Sequence, residues 1–470
     1  MIKYREISGL IFLKKLLKEL KQLLKIGVPI FGSQISYMGM GVTDTIVAGQ
    51  ASALDLSGLA IGNALTMPIY FLFGGCLFAV TPIVAQLFGA KQYEMIGEKV
   101  RQILWLSIGI GVIGFFAYRN LSSLIPFFDI DPEIAVISDG YLKAMSYGFV
   151  ANMIFTCLRC YSEGMGLTLP VFWIAFIGML LNIPLDIIFV YGYFGVPKLG
   201  GVGCGIATTL VSFLMMLTLI IYIFLSKNYS STKPFSTFTP PSAKTTKEIF
   251  KLGTPIGFGI FIELSMFSGA ALILGVLGET IVAGHYIALN IASLFFMLPL
   301  SIGLAAATRV GNLVGENNFS QARIASYSTI YLCVIGSLLT CLTILLVRDH
   351  IVYLYSSDLD AIKIATSLLI FAAIFQLPDG IQMAAVGSLR GYKDTFAPMI
   401  LLFISYWMFA IPAGYFLTMH GFESPLGAAG MWIGMIIGLT IFSVLSILRL
   451  RWIIRKKLFN NFIDQEPQQL

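Results

Sequence analysis

Four carboxylates, Asp44, Asp186, Glu263 and Asp379, stand in stretches of chain that are otherwise apolar, with no lysine or arginine beside them to neutralise the charge. An ionised side chain in hydrocarbon costs at least about 2.5–3.5 kcal/mol, so acids kept at such depth face a wet cavity and do a job there. Their counter-charge must then be mobile: a proton, a metal cation or a cationic substrate. Spacing adds to this. Asn182 and Asp186 are four residues apart and share one face of a helix. With Asp44 they can surround a cation with hard oxygen ligands, and Thr208 or Thr209 can supply one more. Glu263 and Asp379 form a second possible pair. Two carboxylates within a few ångströms cannot both stay ionised unless a cation intervenes, so either group can exchange a proton for another cation. The chemistry implied is ion-coupled transport.

The elements that must hold these acids are membrane helices. Of the 470 residues, 57% are hydrophobic and 11% charged, against roughly 25% charged in soluble proteins. A spanning helix needs about 20 mostly apolar residues. Twelve such runs are expected, near 25–48, 56–87, 98–118, 134–158, 168–193, 200–226, 248–276, 282–312, 323–347, 361–388, 396–418 and 427–450. The fold class is therefore an all-α membrane protein. The net charge of +6 reflects orientation rather than nucleic-acid binding. With both termini in the cytoplasm, all but five of the 30 lysines and arginines fall on the inner side, as the positive-inside rule requires.

The chain also matches itself at an offset of about 226 residues. Lys25-Ile26-Gly27-Val28-Pro29-Ile30 aligns with Lys251-Leu252-Gly253-Thr254-Pro255-Ile256, and the offset drifts to 228 where Ile183-Pro184 meets Ile411-Pro412. The twelve helices thus divide into two pseudo-symmetric six-helix bundles of the same topology, a parallel repeat able to rock about a shared interface. The expected organisation is an amphipathic segment on the inner membrane surface at 1–24, bundles at 25–226 and 248–456, a Ser/Thr/Pro-rich cytoplasmic linker at 227–247 and a cytoplasmic tail at 457–470. Pro29 and Pro255 mark matching kinks in the first helix of each bundle. The acids break this symmetry. Asp44 aligns with Ala270 and Glu263 with Tyr37, while Asp186 and Asp379 meet small or amide residues. A shared scaffold with unshared acids reads as specialisation.

Gly41-Val42-Thr43-Asp44-Thr45-Ile46-Val47-Ala48-Gly49 resembles the helix 1 signature of multidrug and toxic compound extrusion (MATE) transporters. Asn182-Ile183-Pro184-Leu185-Asp186 resembles their helix 5 motif, and Glu263 with Leu377-Pro378-Asp379-Gly380 matches acids of the NorM-like bacterial branch. The resemblance spans roughly residues 25–450. It implies export of bulky cationic or amphipathic drugs, driven by inward Na⁺ or H⁺, across a bacterial plasma (inner) membrane. It also implies an N-bundle cation or proton site at Asp44, Asn182 and Asp186, and a C-bundle site where Glu263 and Asp379 bind the coupling ion as Na⁺ ligands.

Of the 37 Phe and 19 Met, most need only pack, but some are expected to line a substrate cleft with Asp44; Phe295 and Met297 are the candidates. A monomer without cofactor is expected. A flippase for lipid-linked or other amphipathic substrates is the alternative, although it calls for basic residues at mid-membrane depth to meet phosphate. No Ser/His pair or His-rich metal set stands near the acids, and no Gly-x-x-x-x-Gly-Lys-Ser/Thr loop is present, so neither an enzyme nor a nucleotide-driven pump is indicated.

Overall fold

The computed structural model describes residues 2–128, 130–355 and 358–465; Met1 and tail residues 466–470 lie outside the described residues. Among the described residues the regular structure is helical throughout. Twelve long helices follow in order: α1 (Ile2–Ala51), α2 (Ala53–Leu77, resuming as Val80–Gly89), α3 (Tyr93–Asn120), α4 (Pro132–Gly164), α5 (Leu169–Tyr191), α6 (Gly201–Leu225), α7 (Ala243–Gly275), α8 (Glu279–Gly315), α9 (Phe319–Ile351), α10 (Leu359–Gly391), α11 (Phe396–Met419) and α12 (Ala428–Gln465). Ten of them are long and apolar enough to cross a bilayer by length and composition. The other two, α1 and α4, interrupt their apolar runs with residues such as Ser33, Gln34 and Ser36, or Ser146 and Asn152. This is the twelve-helix, two-bundle fold expected from composition and periodicity.

Two compact units make up the chain: Val28–Gly257, and Phe258–Leu470 together with Met1–Gly27. They part inside α1 and α7, next to Pro29 and Pro255, rather than at the linker. The reason is local packing. In α1 the lysines at 14, 15, 18, 21 and 25 stay exposed. Glu19, Leu23 and Ile26 are spaced to share one helix face, and all three are buried. Glu19 accepts from Arg309 Nε at 2.7 Å, Arg309 Nη2 at 2.8 Å and Gln321 Nε2 at 2.9 Å. The segment expected to lie on the membrane surface thus has a protein-facing side, held by a two-pronged ion pair to α8 and an amide of α9.

The beginning of α7 is tied just as firmly to the unit Val28–Gly257. Lys99 pairs with Glu248, Thr245 bonds Gln102, and a Cβ on Gly75 would lie 2.5 Å from Gly257 Cα. Only glycine permits that approach. The linker is seated as well: Arg101 donates to Thr239 Oγ1 at 2.7 Å and to the Lys233 carbonyl at 3.0 Å, and Tyr229 donates to Ser162 at 3.0 Å.

Within Val28–Gly257, α4 is central and packs against α2, α3 and α6; in the other unit α10 packs equivalently against α8, α9 and α12. The core of the latter unit gathers Leu368, Leu369, Tyr406, Trp432, Leu439 and Phe442. Helix α11 is irregular: Ile404–Ala410 is a π-helical turn, placed just before Pro412. Proline has no N–H for the carbonyl four residues back, and a widened turn absorbs the mismatch.

Candidate functional site

In the unit Val28–Gly257, α1, α5 and α6 bring together Asp44, Asn182, Asp186 and Thr208. Asp44 is 4% exposed, and Asn182 and Asp186 are fully buried. Asn182 Nδ2 donates to Asp186 Oδ1 at 3.4 Å, the i,i+4 contact that their spacing calls for. Pro184 lies between them and removes a backbone donor from that turn. Helix α5 then ends on Gly192, whose left-handed φ of +78° a side chain would resist. Thr208 Oγ1 donates to Asp44 Oδ2 at 2.9 Å. Thr209, the alternative, instead ties α6 to the Ala144 carbonyl of α4 at 2.9 Å. The start of α6 is fixed by Asp55, whose Oδ1 accepts from Gly201 N at 2.6 Å; this acid is a helix cap.

Asp44 and Asp186 are near enough for each to act on the other electrostatically. Yet Asp44 Oδ1, Asp186 Oδ2 and Asn182 Oδ1 are all buried without a partner. Orphaned oxygens at a carboxylate pair fit a bridging proton or a small cation, either of which would satisfy them.

In the other unit, Glu263 of α7 and Asp379 of α10 meet through a residue that sequence alone did not single out. Gln382 Nε2 donates to Asp379 Oδ1 at 2.8 Å and to Glu263 Oε1 at 3.3 Å. Its Oε1 accepts from Tyr406 OH at 3.4 Å. Asp379 and Gln382 are 3% and 2% exposed, and Tyr406 is fully buried. Trp407, in the same π turn as Tyr406, donates to Ser265 Oγ of α7 at 3.3 Å. Next to Asp379, Pro378 interrupts the helix, and Ser443 of α12 donates to its carbonyl at 2.6 Å.

Gln382 was findable: it lies three residues beyond Asp379 and is an amide in an apolar run, as Asn182 is. Tyr406 carried no such signal, because a π turn shifts the register that sequence periodicity assumes.

No ion pair among the described residues uses Asp44, Asp186, Glu263 or Asp379. Arg390 is near enough to attract Glu263 electrostatically without pairing with it. Of the candidate cleft residues, Phe295 packs half-buried against the core of its unit, and Met297 is half-buried on the same helix. Both belong to the unit Met1–Gly27 with Phe258–Leu470, whereas Asp44 belongs to the other.

The MatE family profile matches residues 29–188 and again 255–416. The two matches begin 226 residues apart and end 228 apart, the same drift that the internal repeat shows. The chain is 41% identical over 438 residues to the multidrug resistance protein NorM of Vibrio cholerae, covering 93% of this chain and 96% of that protein. It is 38% identical over 443 residues to the multidrug resistance protein MdtK of Yersinia pseudotuberculosis, covering 94% and 97%. Among solved structures, an outward-facing multidrug resistance MATE family transporter superposes with a TM-score of 0.86 at 21% identity, covering 93% of this chain and 96% of that one, which bears on fold alone. Two tandem family matches, close relatives over nearly the whole length and the shared twelve-helix architecture agree: the chain belongs to the MatE family of NorM-like MATE transporters, integral membrane proteins that move solutes and are not enzymes.

Proposed function

We propose that this transporter exports drugs, chiefly cationic and amphipathic organic compounds, in exchange for Na⁺ or H⁺ moving inward. Its setting is a bacterial plasma membrane, with both termini in the cytoplasm and the monomer as the working unit. The observation that carries the reading is the Asp44–Asp186 pair. Two buried carboxylates act on each other electrostatically, with oxygens unpartnered and no basic residue among the described residues paired to either. A positive species that comes and goes is the natural complement. Asp44, Asn182, Asp186 and Thr208 then bind a coupling proton or cation, and Glu263 with Asp379 binds the coupling ion in the other unit, Na⁺ being the metal candidate.

An organic cation and the coupling ion compete for the same negative charge, so arrival of one favours release of the other. Aromatic and methionine side chains, Phe295 and Met297 among them, supply adaptable apolar contact for varied drug shapes. The multidrug resistance names of the relatives and the inner-side excess of lysine and arginine support the same reading.

The test is accumulation of ethidium-like dyes in cells. Expression of the wild type is expected to lower accumulation several-fold, and Asp44→Asn, inserted in the membrane at equal level, to restore that of cells lacking the protein. Wild-type efflux in the variant would remove Asp44 from the mechanism. Equal accumulation with and without the transporter, across a broad dye panel, would favour a lipid flippase instead.

A further inference from the structure

The carboxamide of Gln382 touches both acids of the pair Glu263–Asp379, and it is two-faced. Its nitrogen edge carries two hydrogens and no lone pair; its oxygen edge carries lone pairs and no hydrogen. The neighbours decide which edge points where. Two carboxylate oxygens, at 2.8 Å and 3.3 Å, demand the nitrogen. The Tyr406 hydroxyl at 3.4 Å is left for the oxygen. With no cation bound, the N–H₂ edge serves as a partial positive charge between two acids.

A metal cation reverses the requirement. Na⁺ between the carboxylates is repelled by N–H₂ and attracted by the amide oxygen, a hard ligand of the same class as a carboxylate. A half-turn about the terminal bond of Gln382 swaps the two edges. Tyr406 tolerates both states, because a phenol either donates to Oε1 or accepts from Nε2. A proton on either acid imposes no such turn, since the other oxygen of that carboxyl still accepts from N–H.

Building on the reading of Glu263 and Asp379 as the coupling-ion pair, we propose that Gln382 is a specificity-determining residue of this transporter. It presents nitrogen to the empty or protonated pair and turns its oxygen onto Na⁺ when the metal loads. Tyr406, held in the π turn Ile404–Ala410, is the hydroxyl that accommodates the turn. The duplication provides no counterpart: at an offset of 228, Gln382 aligns with Ile154 and Tyr406 with Gly178. The device therefore belongs to one unit alone.

Binding of radioactive Na⁺ to the purified full-length protein tests this, alongside dye efflux from proteoliposomes under a Na⁺ gradient or a proton gradient. Gln382→Leu removes both edges and is expected to raise half-saturating Na⁺ at least tenfold, with Na⁺-driven efflux falling further than proton-driven efflux. Gln382→Glu keeps oxygen toward the ion permanently and is expected to lower half-saturating Na⁺. Opposite signs in the two variants support the turn, whereas a merely structural role moves both the same way. Equal losses under both gradients, Na⁺ binding unchanged in both variants, or a wild type that binds no Na⁺ would each overturn the proposal. A wild type that binds Na⁺ but moves dye under neither gradient would sink the exporter reading, and the binding measurement would still judge Gln382.

Discussion

Asp44 and Asp379 show how little of a buried acid's role lies in the acid itself. Each is buried and each meets one strong donor, Thr208 at 2.9 Å for Asp44 and Gln382 at 2.8 Å for Asp379. Each also has a second acid close by. A lone buried carboxyl bonded to a neighbouring helix would be a structural feature; the Asp44–Asp186 pair, with oxygen atoms left over, calls for a third, exchangeable partner. Replacing Glu263 by Gln and Asp379 by Asn keeps the shapes and removes the charge. In that double variant dye release should lose its dependence on external Na⁺ and pH, measured as efflux rate against each ion. Unchanged ion responses would move coupling to Asp44 and Asp186. These four residues were visible in the sequence because charge in an apolar run is conspicuous. The amide that joins the C-terminal pair left a weaker signal, a glutamine three residues beyond Asp379 in an apolar run, and Tyr406 in the π turn left none.

Helices α1 and α7 are the elements through which the division into compact units runs. The duplication and the matched Pro29 and Pro255 were legible in sequence. The exchange of helix beginnings between units was not, because it rests on contacts far apart along the chain: Glu19 to Arg309 and Gln321, and Lys99 to Glu248. The lysine-studded amphipathic pattern of residues 14–25 suggested a membrane surface, yet its one glutamate is fully buried and doubly bonded to an arginine. Removing one partner of a buried ion pair leaves the other uncompensated, at a cost of about 3–5 kcal/mol. Arg309 retains 18% exposure, which puts Glu19→Gln toward the lower end, about 3 kcal/mol. Thermal unfolding in detergent should show a lowered midpoint, and Arg309→Met in the same chain should recover part of it. An unchanged midpoint in Glu19→Gln would mean that the clasp contributes nothing to stability.

At the scale of the molecule, one ancestral six-helix plan has been used twice and furnished differently. The central helices α4 and α10 have equivalent neighbours, but the acids of α1 and α5 align with Ala270 and Gly414, and those of α7 and α10 with Tyr37 and Ala151. Composition, span count and the repeat made the fold readable before any coordinate. The relation between the two acidic groups was not readable, because nothing in a linear pattern says which carboxylate a substrate displaces. The most direct measurement is dye efflux from proteoliposomes holding the purified transporter, with Na⁺ and proton gradients imposed separately and together. Efflux should accelerate several-fold under at least one inward gradient, and Asp44→Asn should abolish that acceleration. Equal efflux rates with every gradient and with none would contradict the exchange of drug for cation at buried carboxylates.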